Sequence, residues 1–98
     1  MQQAISLNTV VVAISNQVSS NLGEEAVILH LGKGAYYGVN EVGAVIWSLL
    51  LKPVRVRDIA AEVVSKYQVS RKQCQADLLQ LLDKMLRAKL IEIKEETN

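Results

Sequence analysis

The chain has 98 residues, of which 50% are apolar and 21% are charged, so it has enough material for one hydrophobic core and is unlike a disordered segment. Its 11 Lys and Arg residues against 10 Asp and Glu residues give a formal net charge of +1, which excludes a strong global attraction to nucleic acid or anionic membranes. The single cysteine, Cys74, and the single histidine, His30, exclude an intrachain disulfide and a four-ligand zinc site made from Cys and His alone. We expect a cytoplasmic protein, since no signal-peptide pattern or bilayer-length apolar run is visible.

The first half of the sequence predicts a small antiparallel meander. Residues 1–8 are polar and are expected to be flexible, and the β-branched run at 10–14 predicts a short strand. A second extended run at 17–22 leads into a turn at 23–25, and residues 26–31 form the clearest strand pattern. Gly32-Lys33-Gly34 then allows a tight turn into a return strand that starts at Ala35.

The second half predicts three helices. Asn40 is a good N-cap with Glu41 at the positive end of the helix dipole, and apolar residues then recur at helical spacing until Pro53. A second helix is predicted over 56–67. Ser70 followed by Gln73 matches a capping box, which predicts a third helix from there to residue 88 or 89. Residues 90–93 predict a last short strand before a solvated tail at 94–98.

The third helix carries more apolar surface than one core contact requires. Its apolar side chains cover an arc of roughly 180°, whereas a surface helix needs little more than about 100°. Two interpretations remain open: the sheet and another helix together cover the arc, or one edge of it lines a groove that accepts an extended peptide beside a strand. Cys74 is interpreted as a small residue at the core edge and not as a nucleophile. The arc comprises, in order around the axis, Leu81, Cys74, Met85, Leu78, Leu82, Leu86, Leu79 and Leu90.

One stretch resembles a known family. Residues 34–50 read GAYYGVNEVGAVIWSLL, which is a Gly-aromatic-aromatic strand, an aliphatic-Asn-x-x-Gly turn, and a helix with Ile-Trp and a Leu pair. Together with the later Ala-x-Leu-Ile at 88–91, this pattern resembles the PqqD-like family, the RiPP recognition elements that bind leader peptides of ribosomally made, modified natural products. The resemblance covers about residues 17–93. Trp47 is interpreted as a packing anchor and not as a ligand contact.

The resemblance implies an α+β, winged helix-turn-helix fold in which a three-stranded antiparallel sheet precedes three helices. The domain would span residues 9–93, between a flexible N-terminus at 1–8 and a flexible tail at 94–98. In the family, the leader adds as a further strand to the third strand, in the cleft against the third helix. Which third-helix leucines belong to the core and which to the cleft stays open. Carried over, the leader-binding residues are Ala35, Tyr36, Tyr37, Gly38 and Val39 on the strand, Leu78, Leu79, Leu82, Met85 and Leu86 on the cleft wall, and Gln75 and Lys89 as polar neighbours.

The implied function is non-catalytic and needs no cofactor or metal. The module would present a precursor leader peptide to a transglutaminase-like leader peptidase, as in lasso peptide clusters, or to a radical SAM enzyme, as in pyrroloquinoline quinone assembly. We expect a monomer or weak dimer without a nucleic-acid or membrane partner. The main alternative is a winged-helix DNA-binding transcriptional regulator, although Asp77 and Asp83 interrupt the basic residues of the third helix. A dimerisation module is a further possible function. The sequence contains no nucleophile triad and no phosphate-binding loop that would indicate an enzyme.

Overall fold

A computed structural model describes residues 4–94, which form six strands and three helices. The elements form two three-stranded antiparallel sheets and three helices around a shared core. The predicted α+β class, with a three-stranded antiparallel sheet ahead of three helices, is confirmed. In chain order the elements are β1 Val10–Ala13, β2 Gln17–Leu22, β3 Glu25–His30, β4 Ala35–Val39, α1 Glu41–Leu50, β5 Val54–Arg55, α2 Val56–Tyr67, α3 Arg71–Arg87 and β6 Ile91–Lys94.

The predicted meander is the sheet β2-β3-β4, in which β4 is an edge strand. Gly23 and Gly34 have φ values of 67° and 66°, which explains why glycine stands in both turns. On β3, Ala26 and Ile28 are buried, and the strand packs against α1. The side chains of β4 alternate in the same way: residues 35, 37 and 39 are half-buried, and residues 36 and 38 are exposed.

The second sheet, in the order β5-β1-β6, was not expected from the sequence. Its strands come from three distant parts of the chain, and β5 has only two residues. β1 pairs with β6 from Val10 opposite Lys94 to Ala13 opposite Ile91. This places Val11, which is fully buried, at the centre of the sheet. The strand patterns at 10–14 and 90–93 were recognised, but pairing between segments so far apart leaves no local signal.

The helices begin and end close to where the sequence predicts. The Asn40 side-chain oxygen accepts a hydrogen bond from the Gly43 amide at 2.9 Å, so Asn40 caps α1. Ser70 Oγ accepts from the Gln73 amide at 3.4 Å, which forms the first half of the predicted capping box. The Gln73 side chain instead donates to Asp77 Oδ1 at 2.9 Å. α3 therefore keeps its predicted start and ends at residue 87, one or two residues before the predicted end at 88 or 89.

Apolar residues from both sheets and all three helices form one core. Trp47 belongs to this core and is 3% exposed, as expected for a packing residue. Within the segment expected to be flexible, Ile5 and Leu7 pack against the core, and Leu7 O accepts from the Arg57 amide at 2.9 Å. Residues 1–3 and most of the predicted tail, 95–98, lie outside the described residues. None of the helices within residues 4–94 is long and apolar enough to cross a bilayer, and no group of His, Cys, Asp and Glu in that range is placed to hold a metal ion.

Candidate functional site

A groove of about 520 Å³ opens between the end of β4, the start of α1 and one side of α3. Its volume falls within the range of about 300–1,000 Å³ that is typical of ligand sites. Four buried side chains are contributed by the three helices: Ile46, Val63, Cys74 and Leu78. The remaining residues of the lining are Gly38, Val39, Asn40, Val42, Gly43, Tyr67, Val69, Gln73, Asp77 and Leu81.

One edge of the apolar arc of α3 supplies the wall of this groove. Cys74, Leu78 and Leu81 follow one another at i, i+4 and i+7, and all three line it. The centre of the arc is core, since Leu82 is 0% and Met85 is 4% exposed. Neighbouring elements therefore cover most of the arc, and one edge of it faces an open groove, whereas peptide binding in that groove stays a prediction.

The residues that sequence reasoning placed in the cleft are distributed over several surfaces. Gly38, Val39 and Leu78 line the groove, and Leu82 and Met85 are buried in the core. The other predicted residues lie elsewhere. Leu79 is half-buried against the core, Gln75 lines a depression that includes Leu7 and Arg57, and Leu86 and Lys89 line one that includes Ile14 and Ile91.

Sequence reasoning missed the residues that α1 and α2 contribute, because no local pattern reports which helices meet across a groove. It also omitted Leu81, Cys74 and Asp77 of α3. Leu81 and Cys74 stand at one end of the projected arc, so the projection contained both as candidates. The projection could not show which edge of the arc faces the groove, because that depends on where β4 ends relative to α3.

The backbone of β4 offers hydrogen-bonding groups along an open edge, since no other strand of the described chain pairs there. Leu31 N donates to Asn16 O at 3.1 Å, in register with the β2–β3 ladder. Because peptide groups alternate between the two sides of a strand, the even-numbered residues of β3 then face β4, and the odd-numbered residues of β4 face back. The N–H and C=O groups of Tyr36 and Gly38 therefore point to the open edge, whereas those of Tyr37 bond to β3.

The Gly43 backbone lies close to the Val39 side chain where β4 leads into α1. A methyl group on Gly43 would lie 2.9 Å from the Val39 Cβ atom, which is closer than real Cβ contacts. Gly43 also donates its amide to the Asn40 cap. Glycine at this position therefore lets the strand turn into the helix directly beside the groove.

The polar groups at the rim of the groove are acidic or neutral. Asp77 is the charged side chain in the lining, and the Tyr67 hydroxyl lies 3.3 Å from a carboxylate oxygen of Glu41. Desolvation, the charge of Glu41, its hydrogen bond and the charge of Glu24 raise the pKa of Tyr67. Burial and, to a smaller extent, Asp77 raise the pKa of the Cys74 thiol, which therefore stays protonated at neutral pH. The groove offers apolar contact and acceptor oxygens, and no activated nucleophile.

The family model of coenzyme PQQ synthesis protein D (PqqD) matches residues 25–91, which is more than half of the chain. The chain belongs to the PqqD family. The matched residues include β3, β4 and all three helices, so this PqqD-family segment contains both walls of the groove. The search of curated protein sequences gives no match.

A solved structure supports the same assignment. The PqqD-family chain is 30% identical to TbiB1, with a TM-score of 0.77 over 89% of this chain and 99% of that one. TbiB1 was solved in complex with the TbiA(beta) leader peptide. The similarity therefore extends through nearly the whole of a protein that was solved in complex with a leader peptide.

Proposed function

We propose that this protein binds the leader region of a ribosomally synthesised precursor peptide by β-strand addition to β4. The observation that carries the proposal is the open β4 edge beside an apolar groove, in a chain similar over nearly its whole length to the leader-bound TbiB1. The leader extends the sheet β2-β3-β4 by one strand. Its side chains that face the helices enter the groove, and the alternate side chains face solvent.

The two parts of the site have different roles. Tyr36 and Gly38 each present one N–H and one C=O group, and each hydrogen bond contributes a net of only about 0.5–1.5 kcal/mol. Ordering a peptide on the surface costs several kcal/mol, so these bonds set position and direction more than affinity. Side chains that enter the groove beside Leu78 and Leu81 supply the buried apolar area and the choice among sequences.

We propose that the chain itself makes and breaks no bond and that it acts in the cytoplasm by delivery. A leader held on β4 keeps the attached core peptide near a partner enzyme at an effective concentration of about 1 mM for a short flexible linker. The partner is a transglutaminase-like leader peptidase in a lasso peptide pathway or a radical SAM enzyme. The similarity to the leader-bound TbiB1 favours the first of these two partners. The second partner would agree with the family description, which names synthesis of coenzyme PQQ.

The proposal is tested by fluorescence anisotropy with a labelled synthetic leader of the precursor encoded beside this chain's gene. A scrambled leader of the same composition and a random DNA duplex are titrated in parallel. We expect saturable binding of the true leader at micromolar concentrations or below, and no binding of the other two. Binding of DNA in place of the leader would contradict the proposal and support the regulator. The structure gives that alternative little support, because Asp83 already pairs with Arg87 at 3.0 Å on α3.

A further inference from the structure

The charges around the groove have one sign. Asp77 lines it, and none of the Lys, Arg and His residues at positions 4–94 does. At the rim, Glu41 accepts the hydrogen bond of Tyr67, and Glu24 lies near enough for its charge to act on the same phenol. The groove is thus an apolar cleft with carboxylates at its mouth.

Two of these carboxylates, those of Asp77 and Glu41, have neutral hydrogen-bond donors as their partners. Asp77 accepts a hydrogen bond from the neutral Gln73 amide, and Glu41 accepts one from the neutral Tyr67 hydroxyl. In the part of the chain that the structure describes, neither Asp77 nor Glu41 forms a salt bridge. By contrast, Asp83 on the same helix is paired with Arg87. A negative potential therefore remains where a peptide enters the groove.

We propose that the groove selects leaders in which a Lys or Arg lies close in sequence to the apolar side chain that fills the groove, and that Asp77 is the residue that pairs with this basic side chain. The inference rests on the proposed function and specifies its ligand. A peptide beside β4 places every second side chain on the helix side, about 6.8 Å apart. A basic side chain two residues from the apolar one reaches the rim, whereas an acidic one there meets like charge.

The positions of these carboxylates also indicate which end of β4 lies beside the basic residue of the leader. Gly38 and Val39 line the groove, whereas Ala35 and Tyr36 at the start of the strand do not. Glu41, the first residue of α1, follows the end of β4 after the single cap residue Asn40, so its carboxylate stands at the same end as Asp77. The basic residue of the leader therefore pairs near the carboxyl end of β4, and the part of the leader beside Tyr36 is free of this charge requirement.

The test measures the affinity of the labelled leader of the neighbouring precursor for three proteins at 50 mM and 500 mM NaCl: the unmodified chain, Asp77→Asn and Asp83→Asn. Asn keeps the size and an acceptor oxygen for Gln73 but removes the charge. Asp83→Asn is the matched control, because it removes a carboxylate from the same helix away from the groove. A leader in which each Lys and Arg is replaced by norleucine is titrated in parallel.

We expect Asp77→Asn to weaken binding at low salt by roughly threefold or more and to flatten the salt dependence, with Asp83→Asn unchanged. The norleucine leader should bind the unmodified chain as weakly as the true leader binds the Asp77→Asn variant. A leader that binds tightly with no response to Asp77→Asn, to salt or to norleucine overturns the charge selection and leaves the proposed function intact. Absence of leader binding to the unmodified chain overturns both.

Discussion

Truncation of Leu81 separates binding from stability more cleanly than any other change in the groove. Leu81 is half-buried and lines the groove, whereas Leu79 on the same helix is also half-buried but packs against the core on another side. The two leucines therefore form a matched pair. Leu81→Ala and Leu79→Ala remove the same atoms from the same helix, and only the first removes them from the groove wall.

The expected size of the effect follows from the buried area. A Leu→Ala change removes three carbon atoms, each of which contributes about 0.8 kcal/mol when fully buried. Because Leu81 is already partly covered in the free protein, about 1 kcal/mol of this amount is gained only when a peptide occupies the groove. That free energy corresponds to about a fivefold increase in the dissociation constant for the leader.

Both variants are measured by anisotropy with the labelled leader and by urea denaturation. We expect similar losses of unfolding free energy, about 1–3 kcal/mol each, because both side chains contribute to packing. Only Leu81→Ala should weaken the leader complex. Equal effects of the two changes on affinity, or a larger effect of Leu79→Ala, would refute the assignment of the groove.

Three further changes test the strand edge, the close approach at α1 and the buried thiol. Gly38→Pro removes an amide that points to the open edge, so we expect weaker leader binding with an unchanged circular dichroism spectrum, whereas Gly38→Ala, whose methyl group meets no atom within 4 Å, should bind normally. Gly43→Ala should lower the unfolding free energy by about 1–2 kcal/mol in urea titrations despite the better helix propensity of Ala, because its methyl group would crowd Val39; unchanged stability would contradict the close approach. Because the pKa of Cys74 is raised in the folded state, its contribution to the unfolding free energy is present below the pKa of an unfolded cysteine, about 8.5, and is lost as the pH rises through the pKa of the folded state. Denaturation between pH 7 and 10 should therefore show an alkaline loss of stability that is smaller in Cys74→Ala, and a loss of the same size in both proteins would argue against it.

The sequence predicted the local elements well because their signals are local. The Asn40 cap, the β-branched run of β3 and the apolar period of α3 each lie within a few residues, and each element formed close to its predicted bounds. The resemblance carried by residues 34–50 gave the family, which the match over residues 25–91 confirms.

The parts that were not predicted depend on contacts between distant segments. β1 joins β5 and β6 across more than forty residues, and no feature of residues 10–13 identifies those partners. The same holds for α3, whose wide apolar arc was visible although the edge that faces the groove was not. That edge depends on where the end of β4, α1 and α2 meet α3, since Val39, Ile46 and Val63 line the same groove as Cys74.

The side to which each backbone amide of β4 points could also not be predicted from the sequence, because it depends on the pairing register of the strands. The alternation of side chains along residues 35–39 is visible in the structure from burial, but the side on which each amide points follows from the ladder through β2 and β3. Proline at Tyr37 would consequently break the native sheet and is a poor probe of the edge. Tyr36 and Gly38 are the positions whose amides are available to an added strand.

The most direct test of strand addition is amide hydrogen exchange measured by NMR with and without a saturating concentration of the leader of the neighbouring precursor. We predict that the amides of Tyr36 and Gly38 exchange rapidly in the free protein and become protected in the complex. The Tyr37 amide should be protected in both states, because it bonds to β3. Saturated binding that leaves the Tyr36 and Gly38 amides unprotected would contradict strand addition to β4.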